Sequence, residues 1–162
     1  MNVVVLISDD QSWDALGAAG NEQIHTPTLD KLAETGVMFN QAFVTTSICV
    51  TSRASILTGQ YLSRHGIDRF SKRISPDDFS NTYPAVLRGA GYWSGFVGKY
   101  GVGPVRERDF DFVREYEKDH WFEIDVERIH VTERNARDSL EFLRDRSVDQ
   151  PFILAGSCKV NF

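Results

Sequence analysis

Five side chains on three stretches of this chain have the types and spacing to do chemistry together: Asp9 and Asp10, Cys49 and Arg53, and Lys99. Cys49 stands four residues before Arg53 in Ser47-Ile48-Cys49-Val50-Thr51-Ser52-Arg53-Ala54-Ser55-Ile56-Leu57-Thr58-Gly59. Ala54, Ile56 and Leu57 read as a short helix, with Gly59 as its C-terminal cap. A helix starting near Thr51 or Ser52 would aim its free N–H groups back at Cys49, and such an end attracts anions and lowers a thiol pKa. Arg53 adds a fixed positive fork suited to a tetrahedral oxyanion. Taken singly, each feature has a plainer meaning. A lone cysteine is most often a small buried hydrophobe, an Asp-Asp pair after a strand is most often a turn or cap, and a lysine at a strand end is most often solvated.

The elements that must position these residues are legible around them. Residues 2–7, Asn-Val-Val-Val-Leu-Ile, form a β-branched run of the kind buried on both faces of a parallel sheet. In open α/β sheets ligands sit beyond the carboxyl ends of the strands, which is where Asp9 and Asp10 fall. Neighbouring side chains of a strand point to opposite faces, so the pair shares a ligand only if the strand ends there and the backbone turns. Residues 11–25 read as a loop. Thr26-Pro27 opens a helix over 27–35 with Leu29, Leu32 and Ala33 inward. Val37 to Val44 reads as a second strand, and residues 68–81 as a polar loop. Thr82 caps a helix over 83–90, and a third strand over 92–97 leads to Gly98-Lys99. Residues 103–130 are aromatic and charged without a firm period. Thr132 caps a helix to about Arg146, and residues 152–156 form a fourth strand. The alternation argues for an α/β domain with a mainly parallel sheet flanked by helices. His65 reads as structural or exposed.

The longer string Cys-x-x-Ser-Arg-Ala-x-x-Leu-Thr-Gly resembles the signature of the type I, formylglycine-dependent sulfatases, usually Cys-x-Pro-Ser-Arg. Asp9-Asp10 after the first strand and Gly98-Lys99 after the third match that family's pattern as well. The resemblance runs from Asn2 to about Gly156. It implies an alkaline phosphatase-like fold, incomplete at its C-terminus, in which residues 1–162 are the N-terminal part of a sulfatase catalytic domain. It also implies sulfate ester hydrolysis, with Cys49 oxidised to formylglycine by a formylglycine-generating enzyme and hydrated to a gem-diol. One hydroxyl attacks sulfur and the alcohol leaves; the second allows sulfate to be expelled as the aldehyde re-forms. The resemblance makes Asp9, Asp10 and residue 49 ligands of Ca²⁺, or of Mg²⁺, both of which take hard oxygen donors. Arg53 would orient the gem-diol, Lys99 would bind a sulfate oxygen, and Ser52 would support the turn. The substrate would be a sulfated small molecule or glycan, and the location periplasmic or secreted.

Three departures bear on that expectation. Thr51 stands at the usual proline, and Gly101 at a site histidine. The chain stops at Phe162, before the family's later metal ligands, so these residues alone are expected to show little turnover. Two other readings follow from the same residues: a formylglycine-dependent phosphonate or phosphate ester hydrolase, and an inactive truncated remnant. Composition narrows the field further. The chain has 162 residues, 41% hydrophobic and 25% charged, which suits one domain with a real core. A net charge of −5 and the absence of a basic run argue against nucleic acid as a partner. No apolar stretch reaches membrane-spanning length, and no signal peptide is visible before the first strand. Two cysteines, Cys49 and Cys158, make no disulfide framework.

Overall fold

Two of the strands expected from the β-branched and aromatic runs form the buried centre of a parallel sheet, and the rest of the fold is arranged around them. The computed structural model describes residues 1–124 and 126–159. It divides into two compact units, one made of Met1–Asp9 and the chain from Thr45 onward, the other of Asp10–Val44.

In the larger unit, β1 (Val3–Asp9), β2 (Trp93–Gly98), β3 (Phe112–Glu115) and β6 (Phe152–Lys159) make a four-stranded sheet in the order β1-β6-β2-β3. All three neighbouring pairs are parallel. A two-stranded antiparallel ribbon, β4 (Trp121–Ile124) with β5 (Glu127–His130), lies apart from it. Successive side chains of β2 and β6 go to opposite faces, and each face has its own core. Phe96 and Ala155 pack with Val50, Ala54, Leu57, Phe79, Tyr100 and Phe110 beneath helix α2 (Cys49–Thr58) and helix α5 (Tyr83–Gly89). Val97 and Leu154 pack with Phe112, Phe142 and Phe152 beneath helix α6 (Val131–Asp145). Short helices α3 (Leu62–His65) and α4 (Pro76–Phe79) complete the first layer. In the smaller unit, α1 (Pro27–Thr35) is the one α-helix, and the Thr26 hydroxyl donates to Asp30 while accepting from the Gly17 N–H.

Several sequence expectations need correction. β1 is an edge strand, and Val4 and Leu6 are exposed on its outer side. A continuous apolar run specifies a strand that can be covered on both faces, but nothing among the described residues of its unit covers the second. The run 37–44 forms no strand; within its unit no neighbour offers a ladder, and Val37, Phe39 and Phe43 are exposed. For the same want of a packing partner, Leu29 and Leu32 of α1 are exposed rather than inward. Helix α6 starts one residue before Thr132, because the His130 ring caps it by accepting from the Thr132 N–H. β3, β4 and β5 lie in the stretch for which the sequence offered no period. α4 lies in the expected polar loop, where Ser75 supplies the cap.

Candidate active site

β1 ends at Asp9, β2 at Gly98, and Ser157 lies near the end of β6, all at the carboxyl edge of the sheet. α2 brings Arg53 to this edge. Val50, Ala54 and Leu57 hold one side of the helix in the core, and the helix closes at Gly59, whose N–H donates to the Ser55 carbonyl at 2.8 Å. Cys49 is its first residue, two or three positions earlier than expected, and Ser52 N–H donates to the Ile48 carbonyl at 2.9 Å in the opening turn. Cys49 and Arg53 are therefore i and i+4 on one helix face, a spacing of about 5–6 Å between Cβ atoms. Cys49 is half-buried and its thiol is free.

Arg53 is the hub. One of its terminal nitrogens, Nη2, donates to Asp9 Oδ1 at 2.9 Å and to Ser157 Oγ at 2.8 Å, and Nη1 donates to the Lys99 carbonyl at 2.6 Å. The Lys99 ammonium donates to the other Asp9 oxygen, Oδ2, at 2.5 Å. Burial alone would push the Asp9 carboxyl up. The hydrogen bonds from Lys99 and Arg53, with their charges, outweigh it and hold the group below its ordinary 3.8. Since the folded value is depressed, the stabilisation is present above 3.8 and is lost as pH falls through the lower folded value.

Two glycines make the arrangement possible. Gly98 has φ 105°, and a Cβ there would lie 1.9 Å from the Ser157 carbonyl oxygen, so only glycine lets β2 end against β6 and deliver Lys99. Gly101 has φ 71°, and a Cβ there would lie 2.8 Å from Arg53 Cδ. The position where the family pattern has histidine is thus one where any side chain would press on the arginine.

Of the five expected site residues, Asp9, Arg53 and Lys99 are in direct contact, and Cys49 shares a helix face with one of them. Asp10 opens the smaller unit with φ 61°, a left-handed turn that aspartate tolerates, so the strand does end at Asp9 and the backbone does turn. Ser157 was missed, as the fourth strand was expected to stop at residue 156. A small hydroxyl one position past that end, at the edge where α/β sheets bind ligands, was the available signal. His65 is structural: Nδ1 accepts from the Ile67 N–H at 3.0 Å, which leaves Nε2–H to donate to Ser55 Oγ at 3.0 Å.

Whether this chain suits a divalent cation can be judged from its donors. Among the described residues no three His, Cys, Asp or Glu side chains group around one point. Asp9 is nonetheless a hard oxygen donor of the type Ca²⁺ and Mg²⁺ take. Its Oδ2 already holds a positive charge, the Lys99 ammonium, so the surroundings of this oxygen accept a cation.

A model of the sulfatase family, described as Sulfatase, matches residues 1–156. An arylsulfatase of Clostridium perfringens is 38% identical over 105 residues, 65% of this chain and 22% of that protein. A solved structure bound to its substrate D-glucosamine-2-N,6-O-disulfate superposes with a TM-score of 0.83 at 24% identity, covering 96% of this chain and 34% of the other. The phosphonate monoester hydrolase of Agrobacterium radiobacter superposes with a TM-score of 0.76 at 20% identity, covering 96% and 40%. The chain spans about a fifth to a third of the length of the curated relatives it matches.

Proposed function

Because this chain belongs to the sulfatase family, whose members generally use formylglycine and a divalent metal, we propose that its residues 1–162 are the N-terminal part of a catalytic domain that hydrolyses a sulfate ester. The observation that supports the reading most directly is that Arg53, on the helix that carries Cys49, gathers Asp9, Lys99 and Ser157 into one cluster. Its two cations suit an ester bearing a sulfate.

In this reading Cys49 would be the residue converted to formylglycine by a formylglycine-generating enzyme, and that group, once formed and hydrated, would supply the attacking hydroxyl and the means of releasing sulfate. Asp9 and Asp10 would hold Ca²⁺, with Mg²⁺ the other candidate, and the ion would offset charge on sulfate oxygens. The chain's own cations have separate tasks. Arg53 is fixed by three acceptors and lends its charge to the face where residue 49 stands. Lys99 would neutralise a sulfate oxygen as charge grows there. Ser157 and the Lys99 carbonyl lock the guanidinium in plane. The substrate would be a sulfated small molecule or glycan, met in a periplasmic or secreted setting. No helix of the described residues is long and apolar enough to cross a membrane.

The test is hydrolysis of 4-nitrocatechol sulfate, with Ca²⁺ present, after co-expression with a formylglycine-generating enzyme. Conversion of Cys49 is followed by mass spectrometry, both on the 162 residues and on any longer form of the gene product. Turnover should depend on Cys49 and vanish in Cys49→Ala, and the short form should be much the weaker. An aryl phosphonate ester assayed in parallel separates the phosphonate hydrolase reading: faster turnover of that ester than of the sulfate would replace ours.

A further inference from the structure

The two cations on Asp9 are held very differently. Arg53 is fixed by three acceptors, and its side chain is 5% exposed. Lys99 has a flexible four-carbon stem, its side chain is 17% exposed, and among the described residues its ammonium makes one hydrogen bond, to Asp9 Oδ2. Gly101 places no side chain beside that stem, where a Cβ would come within 3.8 Å of Lys99 Cε. Asp9 thus has one permanently occupied oxygen, Oδ1, and one whose partner can swing away.

An oxygen 2.5 Å from an ammonium cannot also bind a divalent cation without forcing two positive charges together. We propose that a divalent cation and the Lys99 ammonium compete for Asp9 Oδ2, so that cation binding frees Lys99 to hold an anion, and cation and anion bind with positive coupling. The proposal rests on the reading of Asp9 as a metal ligand. A displaced ammonium in a half-buried position needs a new counter-charge, and a sulfate group supplies one. Linkage then works both ways: an anion that captures Lys99 removes the cation's competitor, and the two affinities rise by the same factor. Lys99 is in this respect a positioning residue, matching the loading of the cation to the arrival of the anionic group.

The experiment is Ca²⁺ titration of the 162-residue chain by calorimetry, with and without inorganic sulfate, for wild type, Lys99→Met and Asp9→Asn. Sulfate should tighten Ca²⁺ binding to the wild type by at least about fivefold. Lys99→Met should bind Ca²⁺ more tightly than wild type without sulfate, and sulfate should add nothing further. A measurement on unmutated protein guards against a misfolded variant: the rate at which an amine reagent labels Lys99, followed by mass spectrometry, should rise with Ca²⁺ and fall again when sulfate is added. Equal Ca²⁺ affinity in wild type and Lys99→Met, or a Lys99 labelling rate indifferent to Ca²⁺, overturns the competition while leaving Asp9 a ligand. Ca²⁺ binding that persists undiminished in Asp9→Asn, or that is absent from both wild type and Lys99→Met, overturns the ligand reading itself and the proposal with it.

Discussion

Two of the buried carboxylates, Asp9 and Asp138, each have a cationic partner, and their surroundings differ in one respect that separates the proposed site from scaffold. Asp138 accepts from the Tyr116 hydroxyl at 2.6 Å and from Arg134 Nε at 3.3 Å, its own helix supplying the arginine at i−4. One negative charge meets one positive charge, and Tyr116 fills the remaining space. Asp9 meets two cations from two other segments, Arg53 and Lys99. Among the described residues the buried Arg53 Nε has no hydrogen-bond partner. The first cluster is electrically complete and ties α6 to the chain just after β3. In the second, two cations share one carboxylate, an arrangement whose desolvation penalty can exceed its Coulombic gain. The sharing of one carboxylate by two cations, rather than burial, sets the proposed site apart.

The largest expected effect tests that contrast. Arg53→Met leaves the buried Asp9 carboxylate with Lys99 alone and removes the donor from which Ser157 Oγ and the Lys99 carbonyl accept. It should cost about 3–5 kcal/mol in urea unfolding and abolish sulfate binding. Asp138→Asn keeps the shape and a hydrogen-bond acceptor for Tyr116, so it should cost about 1–3 kcal/mol and leave sulfate binding intact. If Asp138→Asn proved the costlier of the two, or weakened sulfate binding, the distinction between the clusters would fail.

One side of this contrast, the Asp9 cluster, was largely legible in the sequence, and the Asp138 cluster was not. Asp9 and Lys99 end strands whose β-branched or aromatic runs are unmistakable, and Arg53 sits one turn after Cys49 on a helix with an obvious glycine stop. What was not legible depended on partners distant in the chain. The edge position of β1 and the irregular path of residues 37–44 are decided by which neighbours are present to pair, and no local pattern reports that. The same holds for Ser157, whose value lies in being beside Arg53, 104 residues away. β3 and β4 are four-residue strands, too short for a period of two to rise above the charged residues around them.

A smaller effect sharpens the reading of the glycine that departs from the family pattern. At Gly101 the positive φ alone should make Gly101→Ala cost about 1–2 kcal/mol, and the added Cβ would meet Arg53 Cδ. Sulfate affinity should fall with stability, because the arginine that moves is the hub of the site. A fully stable Gly101→Ala protein would show that the loop relaxes freely and that Arg53 is less constrained than its three acceptors imply.

The His65 ring gives a pH signature that belongs to the scaffold. Burial lowers its pKa below the ordinary 6.5, and the neutral ring is the form that accepts from the Ile67 N–H. A depressed folded value means that its contribution is whole above 6.5 and drains away as pH falls through the folded value. Melting temperature should therefore drop from about pH 8 to about pH 5 more steeply in wild type than in His65→Gln. Parallel curves for the two proteins would remove His65 as the cause. Asp9 acts in a separate window, below 3.8.

The smallest expected effect concerns Thr51, the other departure from the family pattern, and it runs toward greater stability. Thr51 is fully buried in the first turn of α2, and its hydroxyl has no hydrogen-bond partner among the described residues. A buried hydroxyl without a partner costs about 1–3 kcal/mol of desolvation, and valine has nearly the same shape without that group. Thr51→Val should thus stabilise the protein by about 1 kcal/mol, read as a rise in urea midpoint with unchanged slope. The first i→i−4 bond of the helix comes from Ser52, so the Thr51 N–H falls among those without an intrahelical acceptor. Thr51→Pro, the family residue, should on this ground fold about as well as wild type, because it removes no bond of the helix ladder and fixes φ near its helical value. A loss of several kcal/mol in Thr51→Pro would mean that this N–H has an acceptor after all. A loss in Thr51→Val would place a partner on the hydroxyl, and either result would assign Thr51 a role in holding the turn that presents Cys49.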